Sequence, residues 1–321
     1  MLGCNSTVVK SFLNNCTHPN SDDACWSLCH QLLCMTLSFP AAVVVSLLGL
    51  YLLLAVLTYE WQRRNEQVEP VNRLYIVPVF CCSAFCFIAL MSMKAQQWDC
   101  RFIRVFGTFF YAASILLVYT VIWLRQRQFY VNPLLNESRS VFCQILNVAV
   151  ITGIYVFLLT NTLASAYSFH MESTIYGCAT VYVKNKFFKQ FLMPLITSTL
   201  VLDGAFQLIL LALTLYPLIS NPNNLCRCCA SEKCQNNFDT ITDDIRGMMT
   251  KLAFCTAVCI AATVGFGYLL YRSINGGICF FWILCLEFHL IILNFTLVYS
   301  FSNGLFRLLP VERIWSCKKN T

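Results

Sequence analysis

Three ionisable side chains, Asp203, Glu287 and His289, interrupt apolar stretches of this chain that are long enough to cross a bilayer. Such groups are costly at membrane depth and usually face a helix-bundle interior, where they line a ligand pocket or an ion path. Glu287 and Asn294 are seven residues apart and share a helix face, as do Asp203 and Gln207, whereas His289 lies about 200° from Glu287. The alternative is that these side chains are hydrogen-bonded packing groups between helices.

No arrangement of residue types that is typical of an enzyme accompanies these three side chains. The four histidines are scattered, and the sequence contains no HExxH, GxSxG or phosphate-binding motif. The basic residues are not interleaved with stacking aromatic residues in a polar context, which argues against nucleic-acid binding. We therefore expect no catalytic residues, no cofactor, no metal centre and no nucleic-acid partner.

The composition indicates what must position these residues. Hydrophobic residues make up 58% of the 321 and charged residues 12%, and the mean hydropathy is +0.64. A soluble core of this size could not bury so much apolar side chain. Seven windows approach or exceed the roughly 20 residues that a membrane-spanning helix needs: 35–58, 74–93, 102–124, 141–163, 191–217, 252–271 and 279–300. Because lipid offers no partner to backbone groups, we predict an all-α membrane protein with seven transmembrane helices.

The charges and glycosylation signals predict the orientation. With the N-terminus outside, 14 Lys and Arg residues lie on the cytoplasmic side and 8 on the outside. Asn5 and Asn15 each begin an Asn-x-Ser/Thr signal in the N-terminal tail, which would be glycosylated there. Residues 1–32 are polar and lack the apolar core of a cleavable signal peptide, so the first span would act as a signal anchor. We predict a multi-pass plasma-membrane protein with its N-terminus outside.

The division of the chain follows from these spans. Residues 1–32 form an extracellular, glycosylated, cysteine-containing tail, residues 33–301 form the membrane domain, and residues 302–321 form a short cytoplasmic tail. The longest cytoplasmic loop, about 219–247, is polar and rich in turn residues. It is too short to be an enzyme module.

The positions of the 20 cysteines matter more than their number. Cys100 lies at the outer start of the third span and Cys178 in the loop before the fifth, where a disulfide would tie that loop to the helix; two free thiols are the alternative. Four further cysteines crowd the N-terminal tail, and sequence cannot choose among their three pairings. The cytoplasmic loop and tail contain juxtamembrane cysteines that we expect to be acylated, with a zinc site or inert thiols as alternatives: Cys226, Cys228, Cys229 and Cys317.

The stretch LLVYTVIWLRQRQFYVNP (116–133) ends the third span in a basic, aromatic group of residues. Membrane-rim anchoring alone would account for Trp123, Arg127 and Tyr130. Arg125, however, follows Cys100 by 25 residues. In this separation, and in the overall topology, the chain resembles the class A G-protein-coupled receptors, whose third span carries a disulfide cysteine and the arginine of an Asp-Arg-Tyr motif. That motif reads Leu124-Arg125-Gln126 here, so the arginine alone is kept.

The end of the seventh span, LNFTLVYSFSNGLFRLLPVERIW, carries a second resemblance. Tyr299 and Phe306 keep the spacing between the tyrosine of the family's Asn-Pro-x-x-Tyr motif and the phenylalanine of its membrane-parallel eighth helix. Residues 306–315 would form a short amphipathic eighth helix that Pro310 limits. Asn294 is one residue out of register, Phe295 replaces the proline, the second span has no acidic residue, and the sixth lacks the Cys-Trp-x-Pro motif.

The resemblance implies a divergent receptor that passes a ligand signal to a cytoplasmic transducer. Its contact with the transducer would involve Arg125, Arg127, Phe129, Tyr130 and Tyr299, and its ligand pocket Phe110, Tyr111, Asp203, Trp282 and Glu287. Aromatic stripes more often form bundle core, which is the alternative for the aromatic members.

The expected partners are membrane lipids, an unidentified ligand, a heterotrimeric G protein and a second copy of the chain. An ion channel or transporter, with Asp203, Glu287 and His289 along its path, is the alternative function. Sequence does not specify the ligand, the transducer or the oligomeric state.

Overall fold

A computed structural model describes residues 22–64, 73–92, 97–131, 141–174, 177–182, 193–220, 232–276 and 281–301. Seven helices and one hairpin occupy these ranges: α1 (Asp22–Gln62), α2 (Ile76–Ser92), α3 (Gln97–Val131), α4 (Val141–Ser168), β1 (Phe169–Thr174), β2 (Gly177–Tyr182), α5 (Met193–Ser220), α6 (Glu232–Gly276) and α7 (Phe281–Tyr299). The described part of the chain is thus helical apart from the hairpin, as predicted, and each apolar window falls essentially on one helix.

Three of these helices contain stretches that are long and apolar enough to cross a membrane, namely Phe39–Gln62, Cys100–Gln128 and Gly247–Leu269. The other four contain shorter apolar stretches within the described side chains: Ile76–Ser92, Ile145–Thr160, Gly204–Leu213 and Leu284–Tyr299. Large apolar side chains point outward along the helices, among them Leu47, Leu54, Phe87 and Phe109. Such a continuous apolar exterior is untenable in water and indicates a membrane protein.

The helices pack as a ring in sequence order that closes where α7 contacts α1. The helices α3 and α7 each contact four others: α3 contacts α2, α4, α6 and α7, and α7 contacts α1, α2, α3 and α6. The largest buried cluster draws apolar side chains from all seven helices, including Leu52, Val79, Tyr119, Ile154, Leu210, Leu252 and Leu297. Buried serine, threonine, asparagine and histidine side chains accompany this core. Between helices in lipid, such polar groups supply hydrogen bonds where hydrophobic association is weak.

The hairpin between α4 and α5 was not expected from the sequence. Its strands pair antiparallel, from Phe169 opposite Tyr182 to Thr174 opposite Gly177. A disulfide joins Cys178 on β2 to Cys100 near the start of α3, with Cα atoms 5.5 Å apart, as predicted. Both cysteines are buried and pack with Ile103. The disulfide fixes the hairpin to the start of α3.

Small residues set two close helix contacts. Gly153 on α4 faces the ring of Phe206 on α5, and a Cβ added at Gly153 would lie 2.8 Å from the Phe206 Cζ atom. On α1, a Cβ at Gly49 would lie 3.4 Å from the Cys86 Sγ atom of α2. One turn earlier, the Ser46 hydroxyl donates a 3.1 Å hydrogen bond to the Cys86 carbonyl. Small side chains allow such close backbone approach between membrane helices.

Candidate functional site

His289 joins α3, α6 and α7 in the half of the bundle nearer the hairpin. Its Nδ1 atom lies 3.1 Å from the Tyr111 hydroxyl, and its Nε2 atom lies 3.2 Å from Thr263 Oγ1. The Phe266 ring stacks on the imidazole with centroids 4.9 Å apart and planes 6° apart. His289 is 4% exposed, so these contacts are made out of solvent. This set of residues, with Tyr119 added below, is called the His289 network.

Donor and acceptor counting assigns the protons of the His289 network. The Thr263 hydroxyl donates to the Cys259 carbonyl at 2.9 Å, so it can only accept from His289 and from the Tyr119 hydroxyl, 3.3 Å away. His289 must then carry its proton on Nε2 and accept the Tyr111 hydroxyl proton at Nδ1. This single arrangement satisfies the four polar contacts described for the network, which supports one relative position of α3, α6 and α7.

The aromatic residues predicted to line a pocket have different surroundings in the structure. Tyr111 belongs to the His289 network and also contacts the Phe85 ring at a centroid distance of 5.5 Å. Phe110 is partly buried, packs against the main core and contacts the Phe109 ring edge-on at 5.4 Å. The Trp282 side chain lies outside the described residues. Tyr111 is therefore the predicted aromatic residue that the structure brings into a polar site.

Asn294 forms a second polar layer, further along α7. Its Nδ2 atom donates to Ser114 Oγ at 3.0 Å and to the Leu290 carbonyl at 2.9 Å. The Ser114 hydroxyl in turn donates to the Pro78 carbonyl of α2 at 3.1 Å. Ser114 and Asn294 are both completely buried. The layer links α2, α3 and α7 by side-chain hydrogen bonds.

Arg125 forms the third layer, where α3 meets the end of α7. Its Nη1 atom donates to Ser300 Oγ at 2.5 Å, and its guanidinium carbon lies 4.1 Å from the centroid of the Phe301 ring. The Ser300 hydroxyl is free to accept because it donates its own proton to the Leu297 carbonyl. Arg125 is 5% exposed, and its charge acts on the Cys255 thiol of α6. Arg125 is thus enclosed by the bundle and does not project from it.

The same contacts continue to α1 and α2. The Phe301 ring lies 4.7 Å from the Tyr75 ring, and the Tyr75 hydroxyl donates to Glu60 Oε1 at 2.6 Å. Glu60 also forms a 3.5 Å ion pair with Arg73. We call the set Arg125, Ser300, Phe301, Tyr75 and Glu60 the Arg125 cluster. It connects one end of α1, α2, α3 and α7.

Glu287 lies apart from all three layers. Its side chain is 0% exposed, and the Cys86 side chain of α2 is close enough to interact electrostatically with its carboxyl group. Neither carboxyl oxygen has a hydrogen-bond partner within the described residues. His289, two residues on, makes its contacts with α3 and α6 instead. The structure therefore does not bring Glu287 and His289 to one path, while the Asp203 side chain lies outside the described residues.

The remaining predicted transducer residues are only partly described. Arg127 is exposed, and its guanidinium carbon lies 5.7 Å from the Trp123 ring centroid, a rim contact that anchoring alone explains. Tyr299 is half-buried and packs against the core. Phe129 and Tyr130 lie on α3, but their side chains are outside the described residues. The neighbour of Arg125, Gln126, is 1% exposed, and its amide has no partner in the described ranges.

The predicted modification sites lie outside the described residues. They are the glycosylation sites Asn5 and Asn15 and the acylation sites Cys226, Cys228, Cys229 and Cys317. Within the described ranges, no three His, Cys, Asp or Glu side chains come together as a metal site would require.

Comparisons with known proteins do not assign this chain to a family. No family model matches it, and no curated protein is significantly similar to it.

Sequence reasoning missed the partners of Arg125 and His289. Ser300, Phe301, Tyr75 and Glu60 carry no individual signal, because polar and aromatic residues near the ends of apolar spans are ordinary in membrane proteins. Thr263 is equally ordinary in a membrane helix. A useful signal was present in the run Tyr299-Ser300-Phe301, which offers a hydroxyl and an aromatic ring where the third span presents a buried arginine.

Proposed function

We propose that this chain is a seven-transmembrane receptor of the plasma membrane, with its N-terminus outside, that signals to a cytoplasmic transducer of the heterotrimeric G-protein type. The observation that carries the proposal is the enclosure of Arg125 by Ser300 and Phe301. A buried cation needs compensating contacts. Those that enclose Arg125 come from two residues at the end of another helix, so moving that helix end would expose the arginine. The bundle would then have a second arrangement. In that arrangement α7 withdraws and Arg125 faces the cytoplasm.

The seven helices support this reading by their arrangement. Their ring is closed by α1 and α7, and the Arg125 cluster lies at the end that the charge distribution assigns to the cytoplasm. The His289 network lies toward the opposite, hairpin-bearing end. A ligand that contacts Tyr111 or His289 there would change the position of α7 relative to α3. Because α7 also supplies Ser300 and Phe301, the same movement reaches Arg125.

The enclosed arrangement is the signalling-off state in this proposal. In the sequence, Leu124 stands directly before Arg125, where the receptor family that the chain resembles has an aspartate. In this proposal the contacts with Ser300 and Phe301 help to hold the off state. A ligand favours the on state only through its difference in affinity for the two arrangements. Arg127, Phe129 and Tyr130 follow on the same helix and would extend the transducer contact.

A channel or transporter is the alternative function, and the buried Glu287 carboxyl is the observation in its favour. It is the weaker candidate because Glu287 and His289 contact different helices. Whole-cell recording separates the two. A current that Glu287→Gln abolishes supports the alternative, while transducer recruitment without current supports the receptor.

The receptor proposal is tested by recruitment of labelled G proteins to the full-length protein in cells. Wild type, Arg125→Ala and Arg127→Ala are compared at equal surface expression. In the background of Ser300→Ala and Phe301→Leu, which removes the enclosure, we expect Arg125→Ala to lower recruitment at least several-fold. Arg127→Ala, which removes an exposed basic residue of the same helix, should lower it less. Recruitment at the level of mock-transfected cells, with every G-protein class, both for the wild type and for Ser300→Ala combined with Phe301→Leu, which removes the enclosure of Arg125, overturns the proposal. Loss of glycosylation in Asn5→Gln and Asn15→Gln checks the orientation independently.

A further inference from the structure

Glu287 lies in a tightly packed seam between α1, α2 and α7. Three positions along α7, Leu284, Glu287 and Ile291, share one helix face. Leu284 is buried against Ala42 and Val45 of α1, and Ile291 packs against the same group. The Glu287 carboxyl lies within electrostatic range of Cys86 on α2. We call this region the α1–α2–α7 seam.

The seam is narrow because its α1 face is built from small residues. Ala42, Ser46 and Gly49 lie one to two helical turns apart on α1. Ser46 hydrogen-bonds to the Cys86 carbonyl, and the Gly49 backbone approaches the Cys86 side chain. Glu287, on the face of α7 that carries Leu284 and Ile291, is 0% exposed, so its carboxyl is removed from solvent.

An ionised carboxylate is poorly matched to this environment. Both Glu287 oxygens lack a hydrogen-bond partner among the described residues, and the side chain is 0% exposed. An unpaired charge buried in this way is far more costly than the neutral carboxylic acid. Cys86 and, one turn along the same helix, Cys82 supply thiols on the α2 side. Thiols are weak hydrogen-bond partners and cannot replace water around a negative charge.

We propose that Glu287 is a proton-binding site, whose bound proton stabilises the packing of α7 against α1 and α2. When the proton leaves, the carboxylate requires water or a cation, and the seam must loosen to admit it. The closed seam therefore binds the proton more tightly than the loosened seam does. By linkage, raising the pH shifts the bundle toward the loosened arrangement.

Glu287 is the one carboxyl group among the described side chains assigned to the seam, and the other titratable groups there are thiols. The α1 residues that contact Cys86 or Leu284, namely Ala42, Val45, Ser46 and Gly49, do not titrate. From α2, Cys86 and Cys82 face the seam, and Cys285 lies nearby on α7. On α3, Tyr111 and Tyr119 belong to the His289 network, and Arg125 belongs to the Arg125 cluster. On α6, Cys259 lies beside the His289 network, and Cys255 lies near Arg125. His289 itself points to that network.

The consequence for signalling rests on the proposed function, whereas the proton site itself does not. Because Glu287 lies on α7 and Ser300 and Phe301 directly follow the end of that helix, loosening of the seam would weaken the contacts that enclose Arg125. Ligand-free recruitment should therefore rise with pH in the wild type. It should stay low and independent of pH in Glu287→Gln, which keeps the shape of the protonated side chain.

The test measures thermal unfolding of the purified full-length protein in lipid nanodiscs by tryptophan fluorescence, from about pH 6 to about pH 9, a range in which buried carboxyls can titrate. We expect the melting temperature of the wild type to fall by about 2 °C or more as the pH rises. Glu287→Gln should lose this dependence, with Glu287→Leu as a second variant if the first does not accumulate. Cys86→Ala and Glu60→Gln, which remove the facing thiol and a carboxyl outside the seam, should keep it.

An unchanged pH dependence in Glu287→Gln and Glu287→Leu overturns the proton site, as does a wild-type melting temperature that does not fall with pH. The two proposals fail separately. A pH dependence that Glu287→Gln abolishes, in a protein that recruits no transducer, keeps the proton site and rejects the receptor. Transducer recruitment by a protein whose melting temperature shows no pH dependence through Glu287 keeps the receptor and rejects the proton site.

Discussion

The guanidinium carbon of Arg125 lies 4.1 Å from the centre of the Phe301 ring, 176 positions later in the sequence. The guanidinium group, on α3, lies over the face of the Phe301 ring, which follows the last residue of α7. Cation–π contacts gain in strength when both partners are removed from water, and both side chains are buried here. The contact therefore couples the position of the C-terminal end of α7 to the charged side chain of Arg125 on α3.

Loss of the Phe301 ring should destabilise the bundle measurably. Phe301→Leu keeps an apolar side chain but removes the contacts with Arg125 and Tyr75. We expect a loss of about 1–2 kcal/mol in unfolding free energy, seen as a lower melting temperature in nanodiscs. Phe295→Leu on the same helix is the matched control, because Phe295 is 48% exposed and should change stability little. Equal effects of the two substitutions would contradict the contact.

Thr263 should matter through its hydroxyl and not through its shape. Thr263→Val removes the acceptor shared by His289 and Tyr119, leaving two buried donors without that partner, at a cost of about 1–3 kcal/mol. Thr256→Val is the control, because the described contact of the Thr256 hydroxyl is with the Leu252 carbonyl of its own helix. A double-mutant cycle with Tyr119→Phe measures the coupling. Strict additivity would argue against the assigned hydrogen bonds.

Gly153 should tolerate no side chain while Phe206 is present. Gly153→Ala places a methyl group 2.8 Å from the Phe206 ring, and overpacking of this kind costs about 1–3 kcal/mol. The control is Gly265→Ala on α6, where a Cβ meets nothing within 4 Å and helix propensity favours alanine. Phe206→Leu in the Gly153→Ala background should restore part of the lost melting temperature. Equal melting temperatures of the two alanine variants would show that α4 and α5 do not pack in this way.

Gln126 should be a site where an apolar residue stabilises the protein. Its buried amide lacks partners among the described residues, so Gln126→Leu should raise the unfolding free energy by about 1 kcal/mol or more. The measurement is the melting temperature, with Gln128→Leu, at an exposed position two residues on, as the control. A loss of stability in Gln126→Leu would mean that the amide is paired within the folded protein.

The helices could be predicted from the sequence because their signal is local. A run of about 20 apolar residues specifies a helix in lipid whatever surrounds it. The pairing of Cys100 with Cys178 could also be predicted, because one lies at the start of the third apolar window and the other in the loop before the fifth. The hairpin could not be predicted, since apolar and polar residues alternate over only four residues of the first strand, Phe169–Thr174, and do not alternate in the second, Gly177–Tyr182.

The partners of the polar residues could not be predicted, because they depend on how each helix is rotated about its axis. The prediction that Glu287 and His289 differ in direction followed from helix geometry alone, and their different contacts agree with it. That His289 would meet Thr263, or Arg125 would meet Ser300, required the relative heights and rotations of three helices. Of the two ionisable residues on α7, His289 has two described polar contacts, whereas both Glu287 oxygens lack a hydrogen-bond partner among the described residues.

The most direct test of the account leaves Arg125 intact and removes its enclosure. Ser300→Ala combined with Phe301→Leu takes away the hydroxyl and the ring that α7 presents to Arg125. Ligand-free G-protein recruitment is then measured in cells at matched surface expression, with Phe295→Leu as the control. The account predicts that recruitment by the double variant rises at least several-fold above wild type and that adding Arg125→Ala removes the increase. Recruitment equal to that of the wild type, in a double variant that folds and reaches the surface, would contradict it.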